Sequence, residues 1–219
     1  QWDYGQKLAE RKEDVMRLIE EKGKLTPEIK QAILDATKLS EIEDIYRPFR
    51  EKKKTRATEA KRKGLEPLAE YLLSFPTEGD VFEEARKYVT KEITEELEKE
   101  GLVVKDENEA LQGAKDIIAE IISDEPKYRK WIRRHFELKG MMTSEVKAPE
   151  LDEKRVYEMY YNYSEPVRFI KLHRVLAMNR GESEKVLRVS IQEDVDYVLN
   201  YLKRQVIKNE NSITANLVY

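Results

Sequence analysis

The stretch Asn108-Glu109-Ala110-Leu111-Gln112-Gly113-Ala114-Lys115-Asp116-Ile117-Ile118-Ala119-Glu120-Ile121-Ile122 decides the fold class. Leu111, Ala114, Ile118 and Ile121 or Ile122 recur three and four positions apart, the spacing that aligns side chains on one face of an α-helix. Polar and charged residues fill the positions between them and solvate the opposite face. Asn108 stands where a helix cap belongs. Such a stripe must be buried against other elements, and the same period recurs on both sides of it.

Toward the N-terminus, residues Leu8 to Lys22 predict a helix with Val15, Leu18 and Ile19 on one face, stopped at Gly23. Thr26-Pro27 pairs an N-cap with a first-turn proline and opens a helix striped by Ile29, Ala32, Ile33 and Ala36. Ser40 with Glu43 fits a capping box for a short helix ended by Pro48. Thr58 to Lys63 predicts a helix closed by Gly64, and Pro67 opens another through Leu68, Tyr71 and Leu72. A turn cluster at residues 75–80 separates these from helical stretches at Val81 to Val89 and Thr94 to Glu100.

Toward the C-terminus, Asp124-Glu125-Pro126 opens a helix with Tyr128, Trp131, Ile132, His135 and Phe136 on one face and Arg129, Lys130, Arg133 and Arg134 on the other. Met141 to Lys147 fits an extended segment. The tyrosine-rich run from Asp152 to Tyr163 fits helix or strand; core packing is the first account of its rings, and a base-stacking surface is the alternative, which the spacing does not support. Ser164-Glu165-Pro166 has the form of a helix start, with the helix running to Asn179 and stopped by Gly181. Val186 to Ile191 alternates apolar and polar residues as a strand does. Val195, Val198, Leu199, Leu202 and Val206 stripe a last helix. The expected fold is therefore mainly α, with a short strand or hairpin.

Composition bounds the function. Charged residues make up 39% of the 219, well above the usual ~25%, which demands a large solvated surface and favours an elongated multi-helix assembly. The chain has no cysteine, which excludes disulfides and thiolate zinc sites and fits a reducing, cytoplasmic setting. No run of about 18 apolar residues exists to span a membrane. The net charge of −3 hides an uneven distribution: residues 47–63 hold nine Lys or Arg against two Glu, a local +7 that leaves −10 for the rest. Separation of this kind sets a basic patch on an acidic protein.

The catalytic inventory is thin. The two histidines, His135 and His173, are too few for a histidine zinc site. His135 falls on an apolar helical stripe and reads as packed; His173 reads as a structural or surface residue. Neither G-x-x-x-x-G-K-[ST] nor G-x-G-x-x-G nor G-x-S-x-G occurs, so those phosphate cradles and that nucleophile turn are missing. Asp106-Glu107-Asn108-Glu109 lacks the glycine of a calcium loop and reads as a helix entry. No residue is assigned to catalysis, to a metal or to a cofactor. The one feature above background is the basic segment, with Arg50, Lys52, Lys53, Lys54, Arg56, Lys61, Arg62 and Lys63 as candidate phosphate contacts. The competing reading is a solvated loop and helix face. Tyr46 and Phe49 lie close by and fit core packing better than base stacking.

Four stretches carry a resemblance. They are Gly23-Lys24-Leu25-Thr26-Pro27-Glu28-Ile29; Glu41-Ile42-Glu43-Asp44-Ile45-Tyr46-Arg47-Pro48-Phe49, continuing through Lys53-Lys54-Thr55-Arg56-Ala57-Thr58 to Lys63-Gly64-Leu65-Glu66-Pro67-Leu68-Ala69; Ala110 to Glu120; and Ser164-Glu165-Pro166 with His173-Arg174-Val175-Leu176-Ala177-Met178-Asn179-Arg180-Gly181-Glu182 and Val186-Leu187-Arg188-Val189. In this order they resemble the Tex family of bacterial RNA-binding transcription accessory proteins. The resemblance implies a long, mostly helical, multi-domain parent with a helix-turn-helix-like module, an RNase H-like domain, helix-hairpin-helix elements and an S1 domain. This chain corresponds to the N-terminal helical part, ahead of the RNase H-like domain and without the S1 domain to which most RNA binding is ascribed. It implies a non-catalytic, nucleic-acid-associated module for RNA, DNA or both. The alternative is a scaffold that docks other domains or transcription-machinery partners. Two regions are expected: 1–123, helical with the basic segment, and 124–219, helical with the helix-turn-helix-like module and the short strand.

Overall fold

The computed structural model describes residues 2–50 and 54–219. In chain order its elements are α1 (Trp2–Glu21), α2 (Pro27–Asp35), α3 (Leu39–Tyr46), α4 (Arg56–Arg62), α5 (Glu66–Leu73), α6 (Val81–Arg86), α7 (Glu95–Glu100), α8 (Glu107–Asp124), α9 (Pro126–Lys139), β1 (Met141–Val146), β2 (Asn162–Pro166), α10 (Leu172–Ser183), β3 (Leu187–Gln192), α11 (Val195–Val206) and α12 (Ala215–Val218). The mainly α expectation holds, with a small sheet added. Two compact units are present: Gln1–Arg129 with Tyr201–Tyr219, and Lys130–Asn200.

In the first unit α8 is the central beam. Ala110, Leu111, Ala114, Ile117 and Ile118 form its buried face, packed with Leu65, Leu68, Leu72, Val81, Ala85 and Val104. Ile121, allowed as an inward position from the period, is exposed, and Ile122 takes the place at the edge of the cluster. Asp106, not Asn108, caps the helix, its carboxylate accepting from the Glu109 N–H at 2.8 Å. Either side chain has the chemistry of a cap, and the chain turns helical two residues earlier than the apolar pattern marks.

A second cluster joins Val15, Ile19, Ile33, Ala36 and Ile42 of the first three helices. Thr26 caps α2 as expected. Ser40 does not cap α3, which begins one residue earlier at Leu39. Glu41 reaches back to accept from the N–H groups of Thr37 and Lys38 at 2.8 and 3.2 Å. Two buried carboxylates tie this cluster to α8 and the start of α9: Arg47 Nε donates to Asp124 and Arg129 Nε to Asp44, each at 2.7 Å. The C-terminal residues return to the same unit. Thr214, fully buried, donates to the Leu72 carbonyl at 2.8 Å, and Ser212 donates to the Pro76 carbonyl at 2.6 Å.

The second unit is built on a three-stranded antiparallel sheet in the order β2-β1-β3. Thr143 of the middle strand faces Ser164 on one side and Ser190 on the other. Ser164-Glu165-Pro166 is therefore the end of edge strand β2, not a helix start. Pro166 occupies the last strand position, where the missing N–H costs little, and α10 begins six residues later. Gly181 does not stop α10. It lies inside the helix, where an added Cβ would fall 2.7 Å from Leu187 Cδ1 and 3.0 Å from Tyr157 Cδ1, so the glycine permits a close approach of helix to strand and ring. Tyr157 and Tyr160 are buried with Met142, Met178, Val186 and Leu187, so these tyrosines are core. The expectation of helix or strand over Asp152 to Tyr163 holds only in part: a 3-10 turn at Glu158–Tyr160 and the start of β2 fall within it, while residues 152–157 form turns around Asp152. That buried carboxylate accepts from the Val156 and Tyr157 N–H groups and from the Tyr161 hydroxyl at 2.8, 2.8 and 3.0 Å. His135 is packed: its ring stacks on Trp131 and Tyr197, and its Nε2 lies 2.8 Å from Glu193 Oε1.

Candidate nucleic-acid interface

The basic segment enters the fold through α4. Thr55 and Thr58 start that helix reciprocally: the Thr55 hydroxyl accepts from the Thr58 N–H at 3.1 Å, and the Thr58 hydroxyl accepts from the Thr55 N–H at 2.7 Å. Gly64, at φ +76°, ends the turn that follows. Between them Ala57 and Ala60 are buried. α8 comes close because position 113 is glycine: a Cβ there would fall 2.4 Å from Leu65 Cδ1 and 3.2 Å from Ala60 Cβ.

This docking aligns the cations of α4 with carboxylates of α8. Lys61 Nζ lies 2.9 Å from Glu120 and Lys63 Nζ 2.6 Å from Glu109. The hydrogen bond from Lys63 holds the Glu109 carboxyl below the usual carboxylate range, against the opposing effect of burial. Arg56 stands 3.8 Å from Asp116, and Lys54 3.6 Å from Glu59. Arg62 bonds Glu59 at 3.2 Å. A groove of about 390 Å³ runs along the crossing, lined by Lys54, Arg56 and Lys63 on one side and by Glu59, Glu109 and Asp116 among its carboxylates.

The candidate residues therefore divide. Lys63 is largely buried, at 18% side-chain exposure, while Lys54 and Arg56 reach 76% and 86%. Arg50 is exposed at the end of a 3-10 turn. Lys52 and Lys53 lie outside the described residues. Tyr46 and Phe49 pack against the first-helices cluster. Sequence inspection missed the acidic partners. Glu109, Asp116 and Glu120 recur at seven- and four-residue steps, so they share one face of α8, and that spacing was the available signal. On the other basic face, Arg129 is committed to Asp44. Among the described residues no group of three His, Asp or Glu side chains is placed to hold a metal ion, and no helix is long and apolar enough to cross a membrane.

Comparison with known proteins bears on this arrangement. Residues 77–216 match the family described as Tex central region-like. A Bacillus subtilis protein named YdcI, uncharacterized, is 48% identical over 99% of this chain, which covers 29% of that protein. Protein tex of Bordetella pertussis is 32% identical over 83% of the chain and 22% of its own length. The human S1 RNA-binding domain-containing protein 1 is 27% identical over 84% of the chain and 18% of its own length. The chain thus spans less than a third of the length of the relatives it matches, and it belongs to the Tex family of transcription accessory proteins.

Proposed function

We propose that this chain is a non-catalytic, nucleic-acid-associated module of a Tex-like transcription accessory protein. The observation that carries the proposal is the outward presentation of Lys54 and Arg56. Their side chains are 76% and 86% exposed, and their contacts to the carboxylates of Glu59 and Asp116 are long, at 3.6 and 3.8 Å. Such pairs contribute roughly 0–1 kcal/mol, so a phosphate displaces the carboxylate at little cost and releases counterions. Arg50, Lys52 and Lys53 extend the same basic run. Lys61, Arg62 and Lys63 shape the local field more than they touch the ligand. The names of the relatives, a transcriptional accessory protein and an RNA-binding protein, support nucleic acid as the partner class and RNA as its first candidate. Regions of the relatives outside the match, which covers less than a third of their length, would add further contact. The absence of cysteine supports a cytoplasmic setting.

Replacing Lys52, Lys53 and Lys54 together by Gln should weaken binding to RNA or DNA and flatten its salt dependence. A chain that binds neither at low salt contradicts the proposal for this module. A second reading, a scaffold that docks other domains or the transcription machinery without touching nucleic acid, is favoured by the short Lys61–Glu120 and Lys63–Glu109 pairs, which spend cations inside the fold. It predicts that the same substitutions alter partner pull-down and leave nucleic-acid affinity unchanged.

A further inference from the structure

The longest acid-free basic stretch lies in the second unit, not in the segment that composition singles out. From Val167 to Gly181 there are four Lys or Arg, one His and no Asp or Glu, in a chain with 44 acidic residues among 219. The stretch forms the turn after β2 and most of α10. The turn is fixed by the Pro166 carbonyl, which accepts from the Phe169 and Ile170 N–H groups. The inner face of α10 is committed to the fold: Met178 and Gly181 are buried and Val175 packs beside them. Arg174 is committed too, donating to Glu165 at 2.8 Å and to the Tyr163 hydroxyl at 3.1 Å.

The outer face is different. Phe169, Leu172 and Leu176, three and four positions apart, are 58%, 73% and 59% exposed. His173 is exposed beside them. The Arg168 guanidinium lies over the Phe169 ring, 4.5 Å from its centroid. No ion pair engages Arg168 or Lys171 among the described residues, whereas Lys54, Arg56, Lys61, Arg62 and Lys63 all have a carboxylate within 4 Å. A solvated ring with a guanidinium over it, next to cations that have no carboxylate within 4 Å, matches an anionic ligand that also offers flat apolar faces; Glu165, bonded to Arg174, acts on Lys171 only at longer range.

We propose that the outer face of the turn after β2 and the first two turns of α10, centred on Phe169, Arg168 and Lys171, binds single-stranded nucleic acid. A base stacks on the Phe169–Arg168 pair, Lys171 meets the backbone phosphate, and Leu172 and Leu176 cover sugar and base edges. A duplex keeps its bases inside the stack and cannot use the ring. The inference rests on the nucleic-acid reading of the chain but assigns it a second surface and a strand preference.

The test uses the full chain and labelled oligouridylate and oligothymidylate of roughly 12 nucleotides, with a duplex of equal length, read by fluorescence anisotropy at low salt. Phe169→Ala should weaken single-strand binding roughly tenfold, the size of one lost base stack, and leave duplex binding unchanged. Arg168→Ala with Lys171→Ala should weaken both and flatten the salt dependence. Circular dichroism melts should not move, because all three side chains are exposed. Single-strand affinity unchanged in both variants overturns the inference and leaves this face to a protein partner. If Gln at positions 52, 53 and 54 abolishes binding at the same time, the basic-segment reading stands without it. If those substitutions do nothing and the α10 variants abolish binding, the inference stands and the basic segment is not the contact. A wild-type chain that binds no probe overturns both.

Discussion

Lys63 Nζ stands 2.6 Å from Glu109 Oε1, which makes a residue of the basic run a brace between α4 and α8. The lysine side chain is 18% exposed and the glutamate 34%, so the pair is sheltered beyond an ordinary surface bridge. Lys63→Met should lower stability by about 1 kcal/mol, read as a fall in the urea midpoint at unchanged slope. No change would mean that the pair is merely adjacent.

The same pair makes an acid-dependent contribution. Glu109 titrates below its ordinary value of 4.5 in the folded chain, with the Lys63 hydrogen bond as the main cause. The stabilisation is complete above that value and is lost as pH falls through the depressed one. The gap in urea midpoint between the native chain and Lys63→Met should therefore close as pH is lowered through 4.5 and below. A gap that stays constant over this range would contradict the assignment.

Arg129 carries a heavier structural duty. Asp44, 7% exposed, receives its Nε at 2.7 Å. Arg129→Ala strips a partner from a buried carboxylate, and the expected cost is about 2–4 kcal/mol, visible in the thermal midpoint. A loss below about half a kcal/mol would place Asp44 in better contact with solvent than its burial implies.

Gly113 sets the spacing between α4 and α8. Gly113→Ala gains helix propensity of up to about 1 kcal/mol, yet its Cβ would meet Leu65 Cδ1 at 2.4 Å and Ala60 Cβ at 3.2 Å. Leu65 can turn its side chain only within a buried cluster, and Ala60 has no side-chain torsion to adjust. Net destabilisation of about 1–2 kcal/mol is expected. A stabilised variant would show that the helices separate freely.

Much of this architecture is written locally. Thr26-Pro27, the stripe along α8 and the alternation at Val186 to Ile191 each depend on neighbours in sequence, and each forms as its pattern dictates. The failures share a cause. A proline after polar residues has the same signature at a helix start and at the end of an edge strand, so Pro166 could be placed only by its pairing with Met141. A glycine near the end of a helical pattern reads as a stop, and Gly181 is instead kept small by Leu187 and Tyr157. The cations of the basic run are plain in the sequence. That α8 would present Glu109 and Glu120 to two of them is a product of tertiary docking. The exposed face of α10 is marked in the sequence only by the lack of acidic residues from Val167 to Gly181, and which of its side chains face outward is again a product of tertiary packing.

The most direct measurement is the salt dependence of single-stranded RNA binding by the native chain and by the chain with Gln at positions 52, 53 and 54. The slope of log affinity against log salt should flatten by about 2, at roughly 0.7 per lost phosphate contact, while the thermal midpoint stays in place. An unchanged slope, or no binding by the native chain at low salt, would contradict the assignment of this module to nucleic acid through its basic segment.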